Sequence, residues 1–128
     1  MKAKQISIFL ENKPKQLSGM CKALSAAGVN ISTLSLADSA DFGIVRMIVD
    51  DHAKGCDALA RAGFAVIETD VVTARVPDRP GGMAEIMEKL DRAGVNIKYS
   101  YAYALGSGAE AILVFSFDDN AKAEAALA

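Results

Sequence analysis

Apolar and polar residues follow two different periods along the first half of the chain. Residues 4–10 alternate apolar and polar side chains, which predicts a strand with one buried face. Residues 17–24 then place apolar side chains at i, i+3, i+4 and i+7, which predicts an amphipathic helix that ends at Gly28. Further strands are predicted at 30–37 and 44–49, joined by a short turn.

A second helix and a fourth strand complete this half. Asp50 and Asp51 precede residues 52–62, and an aspartate in that place caps the first turn of a helix. Gly63 ends the helix, and FAVIETDVV at 64–72 is typical of a strand. The predicted order is therefore βαββαβ, which with antiparallel strands gives an α+β sandwich of ferredoxin-like type, with both helices on one face.

The second half of the chain repeats the first. A displacement of 66 positions aligns 14–31 with 80–97, and seven of these 18 positions are identical, AGVNI among them. The second copy is predicted to contain strands at 71–76, 96–105 and 111–117 and helices at 80–93 and from 119. We expect two units, 1–70 and 71–128, joined by one extended segment with almost no linker. The second unit is expected to lack its last strand.

Composition and charge narrow the class of protein. The chain is 52% hydrophobic and 23% charged, as soluble globular proteins are. Its 16 acidic and 14 basic residues give a net charge of −2, so no basic surface is expected for nucleic acid. The apolar run at 6–10 is too short for a membrane span or a secretory signal. The sequence therefore predicts a cytoplasmic protein that binds neither nucleic acid nor membrane.

The residue types that most often act as catalytic groups or metal ligands form no recognisable motif in this sequence. Cys21 and Cys56 are isolated and fall on apolar helix stripes, so we expect small core residues and neither a disulfide nor a zinc site. His52 is the only histidine, and surface placement is its expected role. The sequence thus predicts no catalytic residue, no metal ligand and no cofactor.

Two long segments resemble a known family. ENKPKQL…LSAAGVNI in the first copy and PDRPGGM…LDRAGVNI in the second are similar to ACT domains in their tandem form, and LSLADSADFGIVRMIVDD resembles the same family's second and third strands. The resemblance covers nearly the whole chain. It implies a regulatory unit that senses a small molecule, usually an amino acid, held between two units by the first loop and the start of the second strand. One departure is that the family's Pro-Gly, present as Pro80-Gly81, is Pro14-Lys15 in the first copy.

Residues of both loops and both helix exits form the candidate ligand-binding set. The set comprises Asn12, Lys15, Leu17, Asn30, Ile31, Asp78, Gly81, Gly82, Met83, Asn96 and Ile97. A helix N-terminus offers unpaired N–H groups to a carboxylate, and glycine lets a ligand approach the backbone closely. An asparagine amide can both donate and accept. A structural explanation stays open, because asparagine after glycine is common at helix exits.

The two copies differ at matched positions of this set. Asn12 corresponds to Asp78, and Lys15 corresponds to Gly81. A carboxylate would attract a ligand's ammonium, whereas Lys15 would either pair with the ligand's carboxylate or fill its space. We therefore expect two sites of unequal affinity. One dominant site is expected to combine the loop of one copy with the helix exit of the other.

The sequence predicts a non-catalytic regulatory protein that binds a small amino acid or related metabolite at the junction of its units. Its output would pass through a homodimer or a regulated enzyme. The unfinished sheet edge and an apolar outer face predict the homodimer, the face comprising Phe9, Ile44, Ile48, Ile112 and Val114. Two alternatives stay open: a protein–protein interaction module without a ligand, and an acylphosphatase-like small hydrolase that uses Arg79 to bind phosphate.

Overall fold

The elements of the fold follow the predicted order. The computed structural model of the protein describes residues 1–11, 13–38, 42–104 and 108–128. The strands are Lys2–Glu11 (β1), Ile31–Asp38 (β2), Phe42–Val49 (β3), Val66–Pro77 (β4), Ile97–Ala104 (β5) and Glu110–Phe117 (β6). The helices are Gln16–Ala26 (α1), His52–Arg61 (α2), Gly82–Ala93 (α3) and Asn120–Leu127 (α4). The α+β class is confirmed, and the extended segment expected between the copies is the single strand β4.

Contacts divide the chain into two compact units. The first unit is Lys4–Thr69, and the second unit is Asp70–Ala128 together with Met1–Ala3. The division falls inside β4, so this strand contributes its first residues to one unit and the rest to the other. The chain passes between the units without a loop.

In the first unit, both helices cover the same face of the sheet. The strand order is β2-β3-β1-β4, and β3 pairs antiparallel with both β1 and β2. Alternation along β1 and β3 places one set of side chains against α1 and α2, where they form a core. The buried members of that core are Ile6, Ile8, Leu10, Met20, Leu24, Val29, Val45, Met47, Val49 and Leu59.

The second unit has an equivalent core. Its strand order is β4-β6-β5, and β6 pairs antiparallel with both neighbours. The buried core residues come from these strands, α3 and α4, and comprise Val72, Val76, Ile86, Leu90, Leu113, Phe115, Phe117 and Ala123. Val114 is also fully buried, so it does not belong to the exposed apolar face that the sequence predicted. Phe9 of that face is 54% exposed.

Met1 forms a pair of backbone hydrogen bonds with β4 in the second unit. The Met1 ammonium donates to the Thr73 carbonyl at 2.6 Å, and the Thr73 N–H donates to the Met1 carbonyl at 2.7 Å. Because β4 lies between β1 and β6 in the sheet, this pairing is on the side of β4 away from β6. Met1, which directly precedes β1, therefore hydrogen-bonds to β4 on this side.

The helix ends confirm Asp51, Gly63 and Gly28 at the positions predicted from sequence. Asp51 accepts from the Lys54 N–H at 3.2 Å and so caps α2, while Gly63 follows the helix with φ 93°. Gly28 after α1 is likewise left-handed, with φ 73°. The longest helix, α3, has 12 residues, and in the described part of the chain no helix has the length and apolar character to span a membrane.

Candidate functional site

The two loop–helix joints, residues 13–16 and 79–82, have the same backbone conformation. Lys15 lies just before α1 with φ 75° and ψ −7°, and Gly81 lies just before α3 with φ 86° and ψ −13°. Glycine adopts this left-handed conformation freely, whereas a residue with a Cβ pays roughly 1–2 kcal/mol for it. The replacement of the family's glycine by Lys15 therefore leaves the joint's geometry unchanged and adds strain.

The helices that follow these joints differ at their first turn from the other two helices. Asp51 and Asp119 cap α2 and α4, the second by accepting from the Lys122 N–H at 3.0 Å. Within the described residues, no side chain caps α1 or α3. First-turn N–H groups without a side-chain cap, together with the positive end of the helix dipole, are suited to bind a carboxylate.

The two glycines of the second joint have different surroundings. A Cβ at Gly82 would lie 2.1 Å from the Pro77 carbonyl oxygen, so the chain's own backbone fills the space that a side chain would need. The nearest atom to a Cβ at Gly81 would be Arg79 Nη1, at 3.9 Å. Gly81 is exposed and Gly82 is buried. Close packing against Pro77 explains Gly82, and approach by a ligand is not needed to explain it.

An ion pair lies beside the start of α3. Arg79 Nη2 donates to Glu85 Oε1 at 3.1 Å, and Arg79 Nη1 donates to the Pro80 carbonyl at 3.3 Å. An acylphosphatase-like enzyme needs an arginine whose guanidinium is directed at a phosphate. Because Glu85 neutralises this guanidinium, the arrangement disfavours that alternative.

Each unit keeps the two halves of the predicted site apart. Helix α1 has 11 residues and α3 has 12, which at 1.5 Å per residue separates their ends by about 16 and 18 Å. Lys15 and Leu17 lie at one end of α1, whereas Asn30 and Ile31 follow the other end. Met83, with Asp78 and the two glycines of its loop, is separated from Asn96 and Ile97 in the same way by α3.

Two grooves in the first unit correspond to these two ends. One has a volume of about 350 Å³ and includes Leu17 beside Lys13 and Gln16, with Leu10 and Leu36 as apolar walls. The other has a volume of about 440 Å³, and its lining is Cys21, Leu24, Ser25, Gly28, Val29, Asn30 and Ile31. The structure thus brings Asn30 and Ile31 together at one groove and places Leu17 at the other. Asn12 lies outside the described residues.

The second unit has a cavity of about 440 Å³ on a different surface. It is lined by the chain start and by residues of β4, α3 and α4, including Met1, Arg75, Lys89 and Glu124. None of the candidate ligand residues lines this cavity. The candidates of the second unit are exposed apart from buried Gly82 and half-buried Ile97.

The repeated GVNI segments take part in a repeated backbone contact, which we term the corner clasp. The Asn30 N–H donates to Asp50 Oδ1 at 2.9 Å, and the Asp50 N–H donates to the Asn30 carbonyl at 3.0 Å. Asn96 and Asp118 form the same pair of bonds, both at 3.1 Å. Each clasp ties the start of one strand to the end of its neighbour through the asparagine's backbone, leaving the asparagine residue exposed.

Sequence reasoning missed the partners in these clasps. Asp50 was expected to cap α2 together with Asp51, but only Asp51 accepts from the helix. The repeated pair of aspartates after β3 and after β6 was the available signal. It did not show that the first aspartate of each pair bonds to a residue 20 or 22 positions earlier.

Comparison with known proteins agrees with this geometry. A family model described as an ACT domain pair matches residues 1–127. Protein BT0572 from Bacteroides thetaiotaomicron is 40% identical with a TM-score of 0.92, and the match covers 99% of this chain and 87% of that one. No curated protein matches the chain significantly.

Two more distant structures share the fold. The regulatory subunit of aspartate kinase from Thermus thermophilus, in ligand-free form, is 16% identical with a TM-score of 0.70, covering 99% of this chain and 91% of that one. The regulatory subunit of aspartate kinase from Thermus flavus is 16% identical with a TM-score of 0.63, covering 99% and 93%. With a family match over residues 1–127 and two copies of the loop–helix joint, the chain belongs to the ACT domain pair family.

Proposed function

We propose that this protein is a cytoplasmic regulatory protein that binds a small amino acid or a related metabolite and catalyses no reaction. The observation that carries the proposal is the pair of left-handed joints at Lys15 and Gly81, each followed by a helix that no side chain in the described part of the chain caps. Membership of the ACT domain pair family supports it. So does the fold shared with regulatory subunits of aspartate kinase.

The loop–helix joints are suited to bind the carboxylate of an amino-acid zwitterion. The ligand's carboxylate would accept hydrogen bonds from first-turn N–H groups of α1 or α3, where the helix dipole favours negative charge. Near the second joint, the exposed carboxylate of Asp78 offers an acceptor for the ligand's ammonium. Near the first joint, Lys15 adds a positive charge. The two joints would therefore bind the same zwitterion with unequal affinity.

The asparagines of the two corner clasps are suited to bind the ammonium end of the zwitterion. The side chains of Asn30 and Asn96 are not used in the corner clasps, and each amide can donate and accept. Because a single unit holds its joint and its corner at opposite ends of a helix, a ligand that touches both must bridge two units. Such a ligand would stabilise one arrangement of units over others, and this preference is how binding would alter a homodimer or a regulated enzyme.

A thermal-shift screen of the full chain against the twenty amino acids tests the proposal. A ligand at 100 times its dissociation constant adds about 2.7 kcal/mol to the free energy of unfolding, which is a readily measured rise in Tm. If none of the twenty changes the Tm, the amino-acid proposal fails, and the interaction-module alternative gains support.

Two variants then locate the site. Asn30→Ala and Asn96→Ala remove amides whose backbones alone form the clasps, so we expect the unliganded Tm to change little. Ligand affinity should fall, and by different factors in the two variants. Glu88→Gln, on the exposed face of α3 and outside the linings of the grooves described above, is the control whose ligand affinity should stay near that of the unsubstituted protein. Negligible effects of both asparagine variants would place the binding site elsewhere.

Light scattering during size-exclusion chromatography tests the proposed association. We expect a homodimer, with an elution position or dimer fraction that changes when the ligand is added. A monomer in both conditions would contradict the proposed homodimer, and regulation would then have to act through a different protein.

A further inference from the structure

Three side chains with metal-binding atoms converge in the first unit, and none of them belongs to the candidate ligand-binding set. His52 and Cys56 lie on α2, and Glu68 lies on β4. One ligand atom from each lies within 4.8 Å of the others. His52 Nε2 is 2.6 Å from Glu68 Oε1, and Cys56 Sγ is 3.5 Å from His52 Nε2 and 3.8 Å from Glu68 Oε1. All three atoms therefore point at one small volume.

We propose that His52 Nε2, Cys56 Sγ and the Glu68 carboxylate bind one divalent transition-metal ion of the zinc type, with a fourth position left to water. The three donors are a nitrogen, a sulfur and an oxygen, which are the ligand atoms that zinc takes from proteins. Three protein ligands and an open position are typical of sites that bind a further small ligand at the metal. With a thiolate and a carboxylate as ligands, the charge of a divalent ion is neutralised.

The fold explains why these residues meet. His52 and Cys56 are four positions apart on a helix and so share one face. Val66 packs against the core of the first unit, and Glu68, two residues further along the same strand, points to the same face of the sheet. Helix α2 covers that face of the sheet, so the exposed side of α2 lies beside Glu68.

The distances are close to those of a tetrahedral site. Bond lengths of about 2.0–2.3 Å around zinc place its donor atoms roughly 3.3–3.6 Å apart. The distances from Cys56 Sγ to the other two atoms are already 3.5 and 3.8 Å. The 2.6 Å separation of His52 Nε2 and Glu68 Oε1 is that of two atoms sharing a proton, which a metal would replace. Glu68 is 59% exposed, so its carboxylate can move by the small distance required.

A nucleophilic cysteine explains the cluster less well. In a Cys–His–acid arrangement the acid bonds to the ring nitrogen opposite the thiol, but here Glu68 and Cys56 both approach Nε2. His52 Nδ1 is buried and has no hydrogen-bond partner among the described residues. Burial and the nearby charge of Glu68 also raise the pKa of the Cys56 thiol, which disfavours a reactive thiolate. A metal ion would reverse that effect by binding the thiolate directly.

The second unit uses the matched positions for a different purpose. Asn120 and Glu124 stand where the first unit has His52 and Cys56. Asn120 Oδ1 accepts from the Phe117 N–H at 3.0 Å, and Asn120 Nδ2 donates to the Asp70 carbonyl at 3.0 Å. The fold therefore does not require a histidine or a cysteine at these positions, and among the described residues the cluster occurs in the first unit.

Cobalt and zinc titrations of the untagged, reduced and chelator-treated full chain test the proposal. Cobalt bound by a thiolate has a charge-transfer absorption in the near ultraviolet, and we expect one such site per chain. Cys56→Ser should abolish this absorption. Cys21→Ser, which changes the other half-buried cysteine, is the matched control and should retain it.

Zinc affinity, measured by competition with a chromophoric chelator, extends the test to the other two ligands. We expect His52→Gln and Glu68→Gln each to weaken zinc binding at least tenfold. Stoichiometric zinc should raise the Tm of the unsubstituted chain and leave that of Cys56→Ser unchanged, and far-ultraviolet circular dichroism would show that each variant is folded. Absence of binding by the unsubstituted chain would overturn the proposal. So would an absorption that survives in Cys56→Ser or disappears in Cys21→Ser.

Discussion

The two loop–helix joints reach one backbone conformation with different residues. In the second unit, glycine at Gly81 adopts the left-handed turn without strain, and Gly82 packs directly on the Pro77 carbonyl. In the first unit, Lys15 adopts the same turn at a cost, and Gln16 carries a side chain where its counterpart cannot. The comparison teaches that duplication preserved the geometry of the joint more strictly than its residues. The proposed binding of a carboxylate by the backbone depends on that geometry.

The largest expected difference between the joints concerns the residue that begins each helix. Gly82→Ala places a Cβ 2.1 Å from a backbone oxygen, so the loop must move, and we expect a loss of about 3 kcal/mol in the free energy of unfolding. The matched change Gln16→Ala should cost no more than about 0.5 kcal/mol. Urea denaturation measures both. Equal losses would show that the two joints pack alike.

Loss of a corner clasp is expected to cause the next largest change in the free energy of unfolding. Asp118→Ala removes an acceptor from the N–H groups of Asn96 and Asp119, whereas Asp50→Ala removes one from Asn30. At about 1 kcal/mol for each hydrogen bond, we expect losses of about 2 and 1 kcal/mol in the free energy of unfolding. Urea denaturation of both variants checks the ratio, and a larger loss in Asp50→Ala would contradict this account of the clasps.

Reciprocal changes at the left-handed position should have opposite signs. Lys15→Gly relieves a backbone strain and is expected to raise the free energy of unfolding by about 1 kcal/mol. Gly81→Ala introduces the same strain and is expected to lower it by about 1 kcal/mol. Thermal denaturation of both variants tests the symmetry. If Lys15→Gly destabilises the protein, then the lysine side chain makes a contact that outweighs its backbone strain.

The ion pair beside the second joint should have the smallest effect. Arg79 and Glu85 are both more than half exposed, so we expect Glu85→Gln to lower the free energy of unfolding by about 0.5 kcal/mol or less. The difference between this variant and the unsubstituted chain should disappear in high salt, because salt screens exposed charges. A larger loss that persists in high salt would show that Glu85 stabilises the joint by more than charge.

Local patterns predicted most of the fold. The alternation in 4–10 and the helical spacing in 17–24 correspond to β1 and α1, and the repeat at 80–97 predicted the same elements in the second unit. Gly28 and Asp51 marked helix ends correctly, because the conformation of a cap depends on a few neighbouring residues.

Contacts between distant residues were not predictable in this way. The Asn30–Asp50 clasp spans 20 positions, and the pairing of Met1 with Thr73 spans 72. The convergence of His52 and Glu68 also depends on which face of β4 lies beneath α2. Periodicity assigns a residue to a face of its own element, but it does not say which residue of another element lies opposite.

The sequence by itself determined the order of the elements, the duplication and the family, because these depend on local spacing and on short motifs. Only the tertiary structure decided that Gly82 packs on the chain's own backbone, that Met1 pairs with Thr73 of β4, and that Asp50 accepts from the backbone of Asn30. Backbone hydrogen bonds and close packing form between residues that are near each other in space. The separation of two residues along the chain does not show whether they are near.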